Sequence, residues 1–210
     1  LNYRFSVAYT QTLLGKALHA KGLLREAAAE FAKAKQNYRL AFPDAVKWSV
    51  DYNPAEAANQ YAWLLVTCPD HEQRNASEAI AAAKRALDIL DEAGLQCPPS
   101  MSWRYLYSNT LGVALYRAGK PKEAIETLKR SMKLLNGGTS WDWYPLAMAY
   151  FVTGDKKQAL AWYHKAVSVK EPPKFDHYLE MDTTEPFRIE AETVLHLLKT
   201  EAKSLETSRN

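Results

Sequence analysis

The sequence predicts an all-α protein built from stacked helical hairpins. Its 210 residues include 31 alanines but only 8 glycines and 10 prolines, and alanine has the highest helix propensity whereas glycine and proline have the lowest. One pattern of small and large residues also recurs at fixed offsets, which is typical of a repeat architecture. An all-β sandwich would need many more turn residues. The length allows one large domain or two small ones, with ample material for a core.

Three segments share the repeated pattern. In each, a Leu-Gly or Leu-Ala pair is followed at identical intervals by a large residue, a glycine, an alanine, a large residue and a small residue. The three sets are Leu14-Gly15, Leu18, Gly22, Ala27, Phe31 and Ala34; Leu111-Gly112, Leu115, Gly119, Ala124, Leu128 and Ser131; and Leu146-Ala147, Tyr150, Gly154, Ala159, Tyr163 and Ala166. The last two sets lie 35 residues apart, so they are in tandem.

A fourth, degenerate copy fits between the first two sets. It keeps both halves of the pattern, at Ala62, Leu65, Ala79, Ala83 and Ala86. An eight-residue linker, 68–75, replaces the tight turn. Because a loop insertion costs little closure entropy, the hairpin is expected to survive it.

The offsets have a physical explanation. A small residue at Gly15 and its equivalents lets the second helix of a hairpin approach closely, and Ala27 and its equivalents are expected to face it. Phe31 and the other large residues are expected to fill the gap to the next hairpin. Gly22 and its equivalents take a turn conformation that other residues resist. Each hairpin still has one uncovered face, which only stacking on a neighbour buries.

These residues resemble the tetratricopeptide repeat (TPR), whose pattern is an aromatic residue, Leu-Gly, Tyr, Gly, Ala, an aromatic residue, Ala and Pro. The best copy is Trp143, Leu146-Ala147, Tyr150, Gly154, Ala159, Tyr163, Ala166 and Pro172, with the proline one residue late. Pro145 departs from the pattern, since proline is expected only in the first turn of a helix. The resemblance covers about residues 6–172. It implies a right-handed superhelix of about four hairpins that serves as a non-catalytic scaffold for binding other proteins.

A narrower resemblance concerns the strings at 61–70, 109–119, 146–150 and 187–192. They look like the TPR region of large bacterial proteins, where that region often follows a serine/threonine kinase or a β-propeller. No kinase signature occurs in this chain. Because the chain starts at Leu1 rather than Met, we expect it to be a fragment of a longer protein, and an upstream targeting segment remains an open alternative.

The helices follow in order from these signals. They are predicted near 2–21, 23–41, 53–67, 75–93, 102–118, 121–136, 141–153, 155–170 and 185–206. First-turn prolines are Pro54 and Pro121, the expected caps are Asn53, Asn75 and Asp155, and the expected stops after second helices are Gly94, Gly137 and Gly138. Residues 42–52 either extend the second helix or form a loop.

The predicted domain organisation has three parts. Residues 1–172 form the TPR-like repeats, at about 2–41, 53–93, 102–136 and 141–170. Residues 173–184 form a polar, proline-containing connector. Residues 185–206 form a capping helix, whose apolar residues Phe187, Ile189, Val194, Leu195, Leu197 and Leu198 would cover the final hairpin.

Composition limits the partners. The net charge is only +3, with no basic stripe and no run of five or six like charges, so neither nucleic acid nor membrane is an expected partner. No uncharged stretch is long enough to cross a bilayer. With two cysteines, Cys68 and Cys97, a disulfide framework is not expected, and a reducing, cytoplasmic location is the default prediction. A Cys68–Cys97 bridge is the less favoured alternative.

The sequence supports neither a metal site nor catalysis. The five histidines (His19, His71, His164, His177 and His196) contain no His-Glu-x-x-His spacing. Cys68 and His71 are three residues apart, but a zinc site would need further ligands, so we expect Cys68 to pack at a helix end and His71 to be a solvated loop residue. No nucleophile elbow or P-loop occurs. We therefore predict no cofactor and no enzymatic activity in this chain.

The candidate binding surface is the concave face, lined by the first helix of each hairpin. Residues three and four apart share one face of a helix. The predicted groove residues are Tyr9, Thr12, Lys16 and His19; Asn59, Trp63 and Val66; Asn109, Val113, Tyr116 and Arg117; and Trp141, Tyr144, Met148 and Phe151. The last group is rich in aromatic residues, which marks either a binding site or a surface that the final helix buries.

Two further hypotheses concern the use of this face. Lys16, Asn59, Asn109 and Arg117 would hold the terminal carboxylate of a peptide if they converged. The leading functional hypothesis is a module that binds a peptide or a partner protein in the groove. The alternative is a structural spacer or self-association element of a bacterial serine/threonine kinase.

Overall fold

The computed structural model describes residues 2–41, 54–93, 103–169 and 186–195, and all regular structure within these ranges is helical, with no strand. The all-α prediction is therefore confirmed. The helices are α1 (Asn2–Ala20), α2 (Leu24–Ala41), α3 (Pro54–Thr67), α4 (Ala76–Glu92), α5 (Trp103–Arg117), α6 (Pro121–Leu134), α7 (Ser140–Val152) and α8 (Lys156–Ser168), with a 3-10 turn at His71–Gln73. Residues 186–195 form one more helix, called the C-terminal segment below.

Consecutive helices pair into four hairpins, α1 with α2, α3 with α4, α5 with α6 and α7 with α8. The first helices of successive hairpins also contact one another, from α1 to α3, α5 and α7. Each second helix packs on the first helix of the next hairpin. The main core follows this stack from Ala8 in α1 to Ala191 in the C-terminal segment. This arrangement is consistent with a superhelix.

The turns of three hairpins are closed in the same way. Gly22, Gly119 and Gly154 have φ values of 77°, 72° and 85°, in the left-handed region that favours glycine. The N–H of each glycine donates to the carbonyl three residues earlier, and the next N–H donates to the carbonyl five residues earlier. These two bonds define the Schellman ending of a helix. The predicted role of the turn glycines is confirmed.

Two glycines let the paired helices approach closely. A Cβ atom on Gly15 would lie 2.6 Å from Cε1 of Phe31, and a Cβ on Gly112 would lie 2.6 Å from Cγ of Leu128. The side chain nearest to Gly15 is that of Phe31, one helical turn after Ala27, because helical side chains lean towards the helix N-terminus. Ala27 is fully buried in the same cluster, and its position opposite Gly15 stays a prediction.

The predicted helix starts are partly within the described residues. Asn75 Oδ1 accepts from the N–H of Glu78 at 3.1 Å, and Asp155 Oδ1 accepts from the N–H of Gln158 at 3.0 Å, so both caps are confirmed. Pro121 occupies a first-turn position of α6. Pro145, in contrast, lies inside α7, which begins at Ser140. The expectation that a proline is confined to the first turn is therefore wrong for α7.

Some predictions fall outside the described residues. These are the choice between helix and loop over 42–52, the cap at Asn53, the stop at Gly94, the connector over 173–184, and the capping helix beyond 195. The division into repeats, connector and cap therefore stays a prediction. Cys68 is buried and free at the end of α3, whereas Cys97 lies outside the described residues.

The close approach at Gly112 predicts an unusual response to alanine. Gly→Ala in a helix interior ordinarily stabilises by about 0.5–1 kcal/mol. Because the new Cβ would lie 2.6 Å from Leu128 Cγ, Gly112→Ala should instead lower the free energy of unfolding by about 1–3 kcal/mol. Urea unfolding followed by circular dichroism measures this change. In a Leu128→Ala background the loss should shrink, and equal losses in both backgrounds would contradict the contact.

Candidate protein-binding groove

The first helices α3, α5 and α7 contact one another and form an aromatic surface on the face that the sequence predicts to be concave. Trp63 of α3 and Trp141 of α7 meet edge to face, with ring centroids 5.4 Å apart. Tyr116 and Arg117 lie at the end of α5, with the guanidinium 5.7 Å from the Tyr116 ring centroid. First helices of separate hairpins therefore contribute to one surface, which we call the groove. Trp63 and Trp141 form its apolar floor, and Arg117 forms its cationic side.

The C-terminal segment occupies the groove. Phe187, only 3% exposed, packs with its ring centroid 5.8 Å from Trp63 and 6.1 Å from Trp141. The three rings form tilted and edge-to-face contacts, the geometries that aromatic quadrupoles favour. Pro186 occupies the first position of this helix, where its missing N–H has no consequence.

One helical turn after Phe187, the segment forms an ion pair with Arg117, the cationic side of the groove. Arg117 donates from Nη1 and Nη2 to the two carboxylate oxygens of Glu190, with Nη2 to Oε2 at 2.5 Å. Bidentate pairs of this kind are stronger and more directional than single contacts. Arg74 belongs to the same charge group: its pKa is lowered by burial and by the nearby Arg117, whereas Glu190 raises it. Burial and Glu190 also raise the pKa of Tyr116 to about 12.

The far end of the segment is fixed on the last hairpin. Leu195, 5% exposed, packs in a cluster with Ala159, Phe151 and Tyr163. The hydroxyl of Tyr163 donates to Glu192 at 3.3 Å. The segment therefore runs from the centre of the groove, between α3 and α7, to the end of the stack at α8.

A buried polar network ties the third hairpin to the fourth beneath this surface. Asp142, with no exposed surface, accepts from the Tyr105 hydroxyl at 2.7 Å, the Asn109 amide at 2.9 Å and the Thr139 N–H at 2.9 Å. Ser131 adds a fourth bond at 3.2 Å. Burial raises the pKa of Asp142, and these bonds oppose the rise.

This network is not predicted by the repeat pattern. Its one local signal is the spacing of Thr139 and Asp142, which forms a capping box at the start of α7.

Asn109 also explains how α7 accommodates its internal proline. In an α-helix, the carbonyl of Trp141 would accept the N–H of residue 145, but proline has none. Asn109 Nδ2 donates to this Trp141 carbonyl at 3.2 Å, so a side chain of α5 supplies the missing donor. Pro145 therefore leaves the Trp141 carbonyl of α7 without its helical donor, and Asn109 of the neighbouring hairpin donates to this carbonyl instead.

The predicted groove residues divide by exposure. Those that are partly exposed are Tyr9, Lys16, His19, Tyr116, Arg117 and Phe151. Those that are buried are Thr12, Asn59, Trp63, Val66, Asn109, Val113, Trp141, Tyr144 and Met148. The structure brings Trp63, Trp141, Arg117 and Phe151 into contact with the C-terminal segment or its cluster. Tyr9, Lys16 and His19 lie on α1, and Tyr144 packs on Tyr163 at 6.3 Å between centroids.

Two residues of the hypothetical carboxylate clamp, Asn109 and Arg117, are engaged by other parts of the chain. Asn109 is engaged by Trp141 and Asp142, and Arg117 is engaged by Glu190. The side-chain oxygen of Asn59 is buried without a hydrogen-bond partner. The clamp therefore stays a hypothesis.

Other kinds of site have little support in the part of the chain that the structure describes. No group of three or more His, Cys, Asp or Glu residues is placed to hold a metal ion there. Cys68 is buried, burial raises the pKa of its thiol to about 11, and His71 is exposed in the 3-10 turn. None of the helices within the described ranges combines the length and apolarity required to span a bilayer.

Comparisons with known proteins support the fold. No protein-family model and no curated protein matches the sequence. A crystal structure of nearly identical TPR-like repeats, from a Podosopora anserina protein provisionally identified as a kinesin light chain, is similar with a TM-score of 0.54. The alignment covers 100% of this chain and 95% of that one at 15% identity. The chain therefore has a TPR-like helical repeat fold.

The proline–asparagine contact predicts a measurable coupling. Asn109→Ala leaves the Trp141 carbonyl unpaired and removes one bond from Asp142, so it should lower the free energy of unfolding by about 2–3 kcal/mol. Pro145→Ala restores the backbone N–H that Trp141 lacks. In that background, Asn109→Ala should cost about 1 kcal/mol less, as a double-mutant cycle in urea measures. Additive effects of the two substitutions would show that the helix does not need this donor.

Proposed function

We propose that this chain is a protein-interaction scaffold that binds a helical segment of a partner protein in the groove. The observation that carries the proposal is the packing of the C-terminal segment, a helix, against first helices of separate hairpins. A surface that buries Phe187 and pairs Glu190 has the depth and the charge to accept a helix. Amphipathic helices in apolar grooves are a common mode of protein recognition.

The composition of the groove supports this function. Binding energy at protein interfaces is concentrated in a few residues, and tryptophan, tyrosine and arginine are the most frequent of these. Trp63, Trp141, Tyr116 and Arg117 supply all three types on adjoining helices. The buried network around Asp142 supports the floor, because it holds α5 and α7 in register.

The proposal also covers the kind of protein and the compartment in which the module would act. We infer a non-catalytic recognition module of a larger multidomain bacterial protein, supported by the resemblance of residues 61–70, 109–119 and 146–150 to TPR regions of such proteins. A cytoplasmic location is supported by the free thiol of Cys68, which suits a reducing compartment. Reading the flanking open reading frame tests this setting, and a neighbouring kinase domain is the outcome that the resemblance favours.

Selection of helical peptides tests the groove. A displayed library of helix-forming segments is selected on the full chain, and enriched sequences are measured by fluorescence anisotropy. Because they sit in the groove, Arg117→Glu and Trp63→Ala should each weaken binding at least about tenfold. Unchanged affinity for every enriched peptide in both variants would reject the groove as the binding surface.

Two matched substitutions control for charge and for stability. Arg130→Glu makes the same charge change at an exposed position of α6, and Trp103→Ala removes the same ring type from a separate cluster at the start of α5, around Tyr107. Neither should alter binding by more than about twofold, since changes away from interaction features are usually small. Circular dichroism establishes that each variant is folded.

A further inference from the structure

The C-terminal segment presents four inward-facing residues at helical spacing. Phe187, Glu190, Ala191 and Leu195 are separated by three, one and four residues, which places them on one face of the helix. Phe187, Ala191 and Leu195 are buried, at 3%, 0% and 5% exposure, and Glu190 pairs with Arg117. On the opposite face, Ile189 is 53% exposed. The four residues therefore define what the groove accepts.

The segment depends on the groove for its structure. Its buried residues pack on other helices: Phe187 contacts Trp63 and Trp141, and Leu195 lies in a cluster with Ala159. Most of the stability of a helix in a protein comes from such packing of its apolar face rather than from helix propensity. Its stability therefore comes mainly from the groove, so another helix with the same four contacts is able to compete for the same place.

The positive charge of the groove determines which helices are able to compete for it. Burial and the nearby charge of Arg117 lower the pKa of Arg74, and Glu190 opposes this shift. The side chains of Arg117 and Glu190 are only 17% and 28% exposed, so solvent screens the pair incompletely. An occupant without an acidic group at this position would leave the Arg117 guanidinium without the two hydrogen bonds that Glu190 accepts. A basic occupant would be repelled.

We propose that the C-terminal segment is a built-in competitor, and that the external partner is an acidic amphipathic helix with the same pattern. The pattern is an aromatic residue, a carboxylate three positions later, a small residue next, and a leucine four positions after that. The aromatic residue enters between Trp63 and Trp141, and the carboxylate binds Arg117. This inference rests on the proposed function and adds the chemistry of the partner and its regulation.

A competing internal helix reduces the apparent affinity of the partner in proportion to the fraction of chains whose groove is free. Weakening the internal helix should therefore tighten binding in trans without any change in the groove. Simple binding to an open groove predicts no such increase in affinity, so the direction of the change distinguishes the two models.

The probe is a fluorescein-labelled peptide with the sequence of residues 184–197, measured by anisotropy against the full chain. The wild-type chain should bind it weakly. Phe187→Ala with Leu195→Ala should bind it at least about tenfold more tightly, because the internal helix is released. Glu190→Arg, at a partly exposed position, should have the same effect and serves as the second variant if the double substitution impairs folding.

An exchange of charges tests whether position 190 of the peptide binds residue 117 of the groove. In the Phe187→Ala, Leu195→Ala chain, a further Arg117→Glu should reduce binding of the wild-type peptide at least about tenfold, since a bidentate pair is lost and a repulsion is added. A peptide with arginine at its position 190 should recover most of that loss. Arg130→Glu in the same background is the matched control and should leave binding unchanged.

Three outcomes would overturn the inference. Folded release variants that bind the peptide no better than the wild-type chain would show that the segment does not compete. Binding insensitive to Arg117→Glu would show that another surface is used. Concentration-dependent dimers in sedimentation, abolished by Glu190→Arg, would make a second copy of the chain the occupant. If library peptides still bind through the groove in any of these cases, the proposed function stands and only this inference fails.

Discussion

The contact between a helix glycine and a large side chain of its partner helix sets the spacing on which the rest of the structure depends. Gly15 receives Phe31, and Gly112 receives Leu128, in each case with no room for a Cβ atom. This contact fixes how closely the two helices of a hairpin approach, and hence how the next hairpin stacks on them. The groove lies along the first helices of that stack, so its width follows from a packing distance within each hairpin.

A second constraint joins the hairpins that form the groove. Pro145 removes a backbone donor from α7, and Asn109 of α5 supplies it while also binding Asp142. A buried carbonyl or carboxylate without partners is costly, so this arrangement favours one register between α5 and α7. The position of Trp141, and through it the aromatic floor of the groove, depends on the same hydrogen bonds.

The sequence predicts what is local and misses what is distant. Turns at Gly22 and Gly119 and the cap at Asn75 follow from residues only a few positions apart, so a single repeat contains all the information needed. The partners of Asn109 and Arg117 lie 32 to 73 residues away, and no periodicity relates them. The exposure of the groove side chains is harder to predict from the sequence, because it depends on which other segment covers them. Trp63 and Trp141 are covered by Phe187, a contact that helical spacing does not specify.

The C-terminal segment connects these constraints to binding. The stack is built from helices that each pack on their neighbours, whereas the C-terminal segment is held through the contacts of one helical face. An exchange of occupants therefore breaks only the contacts of that face. The pair between Arg117 and Glu190 then serves two purposes, because it positions the internal helix and it sets the charge that a replacement must carry. Affinity for an external helix is therefore adjusted by residues of the segment, with the groove itself unchanged.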